Sequence, residues 1–192
     1  VGIAGNISFI VLALSQMLGV GATAVVSHAV GRKDRDQPLL PFNQGQVLAR
    51  TTGVAFLVVG MASLNAYTNA MAPDAETAAL ARRYLRWFIP VMSLQFALVA
   101  MGSSLRAVGN FKPGMIVSTA TIVLNMVLAP VFIFGWGTGY AFGVAGAAVS
   151  SLVAILVGIV WFVFYFVGKD KYLHFMTADW KPRLDLWKRM LA

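Results

Sequence analysis

Five long apolar runs joined by short loops constrain this chain more than anything else in its sequence. They cover about residues 1–30, 47–72, 84–105, 115–134 and 144–167. A bilayer core takes about 20 residues of helix to cross, and every run reaches that length. In hydrocarbon each backbone N–H and C=O must be satisfied inside the segment, and uniformly apolar runs achieve this as helices. Hydrophobic residues make up 59% of the 192 and charged residues only 11%, whereas soluble domains carry about 25% charged. The sequence predicts an all-α fold, a polytopic membrane helix bundle over residues 1–167. Its short connections make successive spans antiparallel neighbours.

The net charge is +8, but its distribution does not make a nucleic-acid-binding face. The cations gather in short loops between apolar runs: Arg32, Lys33 and Arg35, then Arg106 and Lys112, then Lys169 and Lys171. Positive loops stay on the cytoplasmic side. The loops around 31–43, 106–113 and 168–192 are therefore predicted to be cytoplasmic, in the inner (plasma) membrane. Arg82, Arg83 and Arg86 run against this rule at the outer start of the third run, where Asp74 and Glu76 partly offset them. This orientation puts Val1 outside, which implies a preceding span or signal segment and hence an internal fragment. After the last run, Asp179 is a candidate N-cap and Pro182 fits a first helical turn. Trp180, Leu184, Trp187 and Leu191 then share one face, the pattern of an amphipathic helix lying on the inner membrane surface. A linker helix leading to a further part of the chain would look the same.

Polar groups inside spans are costly unless something uses or satisfies them, so they are the candidate site residues. Ser118, Thr121 and Asn125 recur at steps of three and four and share a stripe of the fourth run. Pro130 has no N–H for the carbonyl of Met126, which leaves that acceptor available beside Asn125. Such a stripe can bind a cation, a proton-bearing water or a drug amine, or it can hydrogen-bond a neighbouring helix. Gln16 and Thr23 mark one face of the first run with Gly19 near them, and Gln95 and Pro90 mark the third. In the fifth run Gly146, Ser150, Ala154 and Gly158 recur every four residues, a small-residue ridge suited to close helix packing. Ser151 lies on the adjacent face, where it can look into a cavity.

Absences narrow the chemistry. There is no cysteine, which removes disulfides, thiolate metal sites and thiol nucleophiles. The span cores carry no Asp, Glu, Lys or His, so an intramembrane nucleophile–base pair or metal centre has nothing to be built from. Arg50 sits close enough to an edge to snorkel. No Walker or Rossmann glycine pattern is present. The residues argue against an enzyme and predict no cofactor and no metal site, with Asn125 the candidate cation contact.

Four stretches carry a further signal. The Gly-Arg-Lys-Asp loop at residues 31–34, S-L-R-A-V-G-N-F-K-P at 104–113, L-N-M-V-L-A-P-V-F-I-F-G at 124–135 and F-G-V-A-G-A-A-V-S-S at 142–151 together resemble the multidrug and toxic compound extrusion (MATE) family. The resemblance covers almost the whole chain in order. It implies spans two to six of a twelve-span transporter, most of its N-terminal six-helix lobe, followed by a linker to a C-terminal lobe beyond this chain. It also implies secondary active efflux of amphiphilic or cationic small molecules, coupled to H+ or Na+ antiport through alternating access of two lobes, with the fragment inactive alone. Asn125 matches the family's fifth-span asparagine, and Ser151, or its neighbour Ser150, matches a sixth-span hydroxyl. Four residues after the asparagine many members have an aspartate, where this chain has Ala129, so coupling would lean on groups elsewhere. Two other readings remain at this stage: a lipid-linked saccharide flippase of the same superfamily and a non-transporting membrane scaffold. The former would want cations in its cavity, and these span cores nearly lack them.

Overall fold

A computed structural model of the chain describes residues 2–31, 39–136, 139, 141–167, 173, 175 and 181–191. Among the described residues six helices follow in order: α1 (Gly2–Gly31), α2 (Leu39–Met71), α3 (Ala75–Ala107), α4 (Phe111–Phe134), α5 (Val144–Val167) and α6 (Leu184–Leu191). The first five are long and apolar enough to cross a membrane. The chain is a multi-pass helical membrane bundle. The expected basic loop residues Arg32, Lys33, Arg35, Lys169 and Lys171 lie outside the described residues.

Two helices start earlier than the hydropathy suggests. Leu39–Gln46, expected to fall in or beside a loop, forms the first turns of α2, and Pro41, Phe42, Asn43, Gln44, Gly45 and Gln46 are all buried there. Asn43 Nδ2 donates to the Leu39 carbonyl at 2.9 Å, so its amide is served by its own helix and needs no water. α3 begins at Ala75, ahead of the expected Tyr84, because Asp74 caps it. The Asp74 carboxylate accepts from the Thr77 N–H at 2.7 Å and from the Thr77 hydroxyl at 2.9 Å. Those two bonds, the amide first, hold its carboxyl below the usual carboxylate range. Arg83 and Arg86 then stand exposed on α3, while half-buried Arg82 donates from Nη2 to Asn69 Oδ1 at 3.3 Å.

α3 is the hub. It packs against α1 and α2 on one side and against α5 and, more lightly, α4 on the other, while α4 and α5 form a close pair. Small residues set these distances. A Cβ at Gly53 would come 2.6 Å from the Ser93 carbonyl oxygen, and one at Gly19 2.8 Å from Ser103 Oγ. Ser93 uses the closeness to donate to the Gly53 carbonyl at 2.8 Å. The Gly146–Ser150–Ala154–Gly158 ridge is wholly buried. Its Gly146 lies on the α4 backbone, so that a Cβ there would stand 2.5 Å from the Phe132 oxygen. Aromatic packing closes the end of the bundle nearest the basic loops, with Phe42–Phe166 centroids at 4.9 Å and Phe166–Phe175 at 5.5 Å.

α6 differs from its expected form. Asp179 and Trp180 lie outside the described residues, and the helix starts at Leu184, so Pro182 precedes it. Leu184 is exposed, while Met190 is buried and Trp187 packs beside it in the cluster of Val11, Leu18, Leu48, Ala49, Phe96 and Ala100. The helix spends its apolar side on α1 and α2, where a membrane-surface helix would spend it on lipid. Gln44, fully buried, is the latch. Its Nε2 donates to the Lys181 carbonyl at 2.7 Å, and its Oε1 accepts from the Arg183 N–H at 2.9 Å and from Trp187 Nε1–H at 3.1 Å. A carbonyl can only accept, and an indole or peptide N–H can only donate, so the amide orientation is forced. Gly21 makes room, since any Cβ there would fall on the Met190 carbonyl.

Two outcomes follow from this packing. Gly146→Leu drives a side chain into α4 backbone that cannot yield, and a loss of about 1–3 kcal/mol is expected. It reads as a lower thermal midpoint in detergent, whereas Gly5→Ala, with nothing within 4 Å of the new Cβ, leaves the midpoint unchanged. Gln44→Leu removes the latch, each lost bond being worth about 0.5–1.5 kcal/mol. A single Met190→Cys in this cysteine-free chain should then react with a maleimide about tenfold faster than it does with Gln44 in place.

Candidate functional site

Three helices bring a set of polar side chains together around one cavity of about 300 Å³, near the lower end of ligand-pocket sizes. α3 contributes Gln95 and Leu98; α4 contributes Ser118, Thr121, Ile122 and Asn125; α5 contributes Ser151, Ala154 and Ile155. The α4 stripe faces the cavity because steps of three and four keep one side of a helix in register. The α5 members share a face at the same spacing. Beside the cavity Gly158 of α5 meets α3 and α4. A Cβ at that glycine would stand 2.7 Å from Thr121 Oγ1 and 3.1 Å from Leu98 Cδ1. Val117 joins Phe162 and Phe166 in the core.

Hydrogen bonds order the polar wall. Asn125 Nδ2 donates to Ser151 Oγ at 2.8 Å and makes a long contact, 3.5 Å, with Ser150 Oγ. Both serine hydroxyls donate to the Ala147 carbonyl, at 3.0 Å from Ser151 and 2.9 Å from Ser150. Thr121 donates to the Val117 carbonyl at 2.7 Å. The lining carries no acidic or basic side chain. Among the described residues no group of three or more His, Cys, Asp or Glu is placed to hold a metal ion. What the wall offers is uncharged: amide and hydroxyl groups opposite Leu98, Ile122, Ala154 and Ile155.

Five of the residues expected from the sequence therefore meet here: Asn125, Thr121, Ser118, Ser151 and Gln95. Gln16 does not join them. The buried side of α1 runs through Val11, Ser15, Leu18, Ala22 and Val26, and Gln16 stands beside it, exposed. Thr23 and Gly19, expected to share its face, turn instead to α3, where Thr23 Oγ1 lies 3.3 Å from the Ser103 carbonyl. Pro130 and Pro90 fall outside the lining, and α4 and α3 run through them as continuous helices. Ala129 is half-buried and also outside it. Sequence reasoning missed the apolar half of the wall, although Leu98 sits three residues from Gln95 and Ile122 beside Thr121. It also missed Gln44, which falls between the expected loop around 31–43 and the apolar run expected from residue 47.

Known proteins match this arrangement. The MatE family model matches residues 1–131. The multidrug export protein MepA of Staphylococcus aureus (strain MRSA252) is 26% identical over 156 residues, covering 80% of this chain and 34% of its own. The chain thus spans about a third of the length of the curated relatives it matches. A solved inward-facing MATE multidrug resistance transporter of the MOP superfamily superposes with TM-score 0.88 at 24% identity, covering 99% of this chain and 42% of that one. The outward-facing form gives TM-score 0.89 with the same identity and coverage. At this identity the likeness establishes the fold, and it does so equally for both conformations. With its family match over more than half the chain and its five-span fold, the chain belongs to the MatE (multidrug and toxic compound extrusion) family.

Proposed function

We propose that this chain forms most of the first lobe of a two-lobe secondary transporter that exports amphiphilic or cationic small molecules by proton- or sodium-coupled antiport. The observation that carries this reading is the open amphipathic pocket between α3, α4 and α5. A mixed wall of amides, hydroxyls and aliphatic side chains at membrane depth suits a ligand with an apolar body and one polar end. Curated relatives of the chain are multidrug export proteins, and the lobe is as similar to an inward-facing transporter as to an outward-facing one. That equality supports alternating access by the rocking of whole lobes around a fixed site.

In this reading the basic-loop end, which the aromatic core closes, faces the cytoplasm. The coupling ion meets no carboxylate in this cavity, so its acid lies elsewhere in the two-lobe protein. A flippase for pyrophosphate-linked saccharides is the poorer fit, since no cation lines the cavity to hold such an anion.

Cells or proteoliposomes containing the two-lobe protein should export ethidium when a proton or sodium gradient is imposed. Asn125→Leu should lower the initial rate by about tenfold, as expected for losing a bound polar contact worth about 1.4 kcal/mol. Export that persists after both gradients are collapsed would sink the antiport reading.

A further inference from the structure

We propose that the exposed face of α3 carrying Arg83, Arg86 and Trp87 binds the phosphodiester headgroup of an anionic lipid. Such a site is independent of the transport reading. Charge at this end of the bundle is out of place. Arg82, Arg83 and Arg86 fall within five residues, at the end opposite the Arg106–Lys112 elbow, where the loop-charge bias disfavours cations. Like charges three and four apart on a helix repel one another, so the group costs stability unless an anion offsets it.

The chain supplies little to offset it. Asp74 and Glu76 are the only acids between Asp36 and Asp170. The Asp74 carboxylate is turned to the first turn of α3, where it accepts from the Thr77 N–H and hydroxyl at 2.7 and 2.9 Å. Glu76 stands seven residues before Arg83 and ten before Arg86, beyond the one-turn spacing at which helical side chains pair. Arg82 leans toward α2, with Nη2 on Asn69 Oδ1 at 3.3 Å. Arg83 and Arg86 are exposed, and among the described residues neither has a protein partner.

Their surroundings identify the anion. Trp87, four residues beyond Arg83 on the same stripe, is exposed as well. A free phosphate would leave that ring unused, whereas a lipid engages both, its chains against the indole and its phosphate on the arginines. Depth agrees. Counting about 20 residues, the length that crosses the hydrocarbon, back from Leu105 reaches Leu85. Arg83 and Arg86 therefore stand at headgroup level, where tryptophan is also favoured. A guanidinium fork grips phosphate bidentately, and two of them three residues apart are near enough to share one.

A local reporter tests the site. Ala79, exposed one turn before Arg83, is replaced (Ala79→Cys) in the intact protein freed of any other reactive cysteine, and labelled with bimane. The labelled protein, in neutral detergent micelles, is titrated with phosphatidylglycerol, phosphatidylcholine and glycerol 3-phosphate. Phosphatidylglycerol should change the emission saturably, with a half-saturation about tenfold below that of phosphatidylcholine, and added salt should weaken it. Arg83→Gln combined with Arg86→Gln should raise the half-saturation about thirtyfold. The thermal midpoint should hold, because neither side chain has a protein partner to lose. Equal responses to the two lipids, or a phosphatidylglycerol response unmoved by salt or by the paired substitutions, would overturn the proposal. Saturation by glycerol 3-phosphate in the same range would overturn the lipid in favour of a soluble phosphate. Silence of the label toward all three would overturn it too, as expected if another part of the intact protein covers this face.

Discussion

In a bilayer a polar side chain has no water to fall back on, and the rest of this structure depends on how that constraint is met. The nearest unsaturated acceptor is the carbonyl four residues back in the same helix. Thr51, Ser63, Thr68, Ser104 and Thr121 all spend their protons there, at 2.7 to 2.9 Å. Each hydroxyl served in this way becomes an acceptor toward its surroundings. Apolar helices can thus carry hydroxyls at little cost, and whatever cavity those helices enclose inherits a surplus of lone pairs.

Among the amides that reach across to other elements, two end in different states. Gln44 uses Nε2 and Oε1 on three groups of the α6 segment and is fully buried. That arrangement is structural, since every partner would be left unpaired if the amide were lost. Asn125 commits only its nitrogen, to the α5 serines, and stands half-buried at a cavity wall. A satisfied amide holds the fold together.

Glycines decide where the helices touch and therefore where the cavity lies. At Gly146 α5 lies on α4 backbone, and at Gly158 it meets Thr121 and Leu98. Between these two pinch points the helices stand far enough apart for Asn125, Ser151 and Gln95 to face open space.

Much of this was written in the sequence. Five apolar runs of sufficient length dictated five membrane helices, because hydrocarbon allows uniformly apolar segments no other common form. Spacing of three and four put Ser118, Thr121 and Asn125 on one stripe, and the same arithmetic marked the Gly146–Gly158 ridge. Boundaries were less legible: hydropathy does not see that Asp74 caps α3, or that Asn43 bonds its own helix and lets α2 begin at Leu39. Gln16 shows the limit of the method, since a polar residue in a span is equally conspicuous whether its side faces a cavity or turns away. The sequence by itself determined the five long helices, their order and the shared stripe of Ser118, Thr121 and Asn125, because these follow from periodicity and the bilayer. Only the tertiary structure decided that α3, α4 and α5 share a cavity, that α6 is latched by Gln44, and that Asn125 meets Ser151. Those outcomes depend on which helices come close and on how each donor is spent, and neither is a property of one segment.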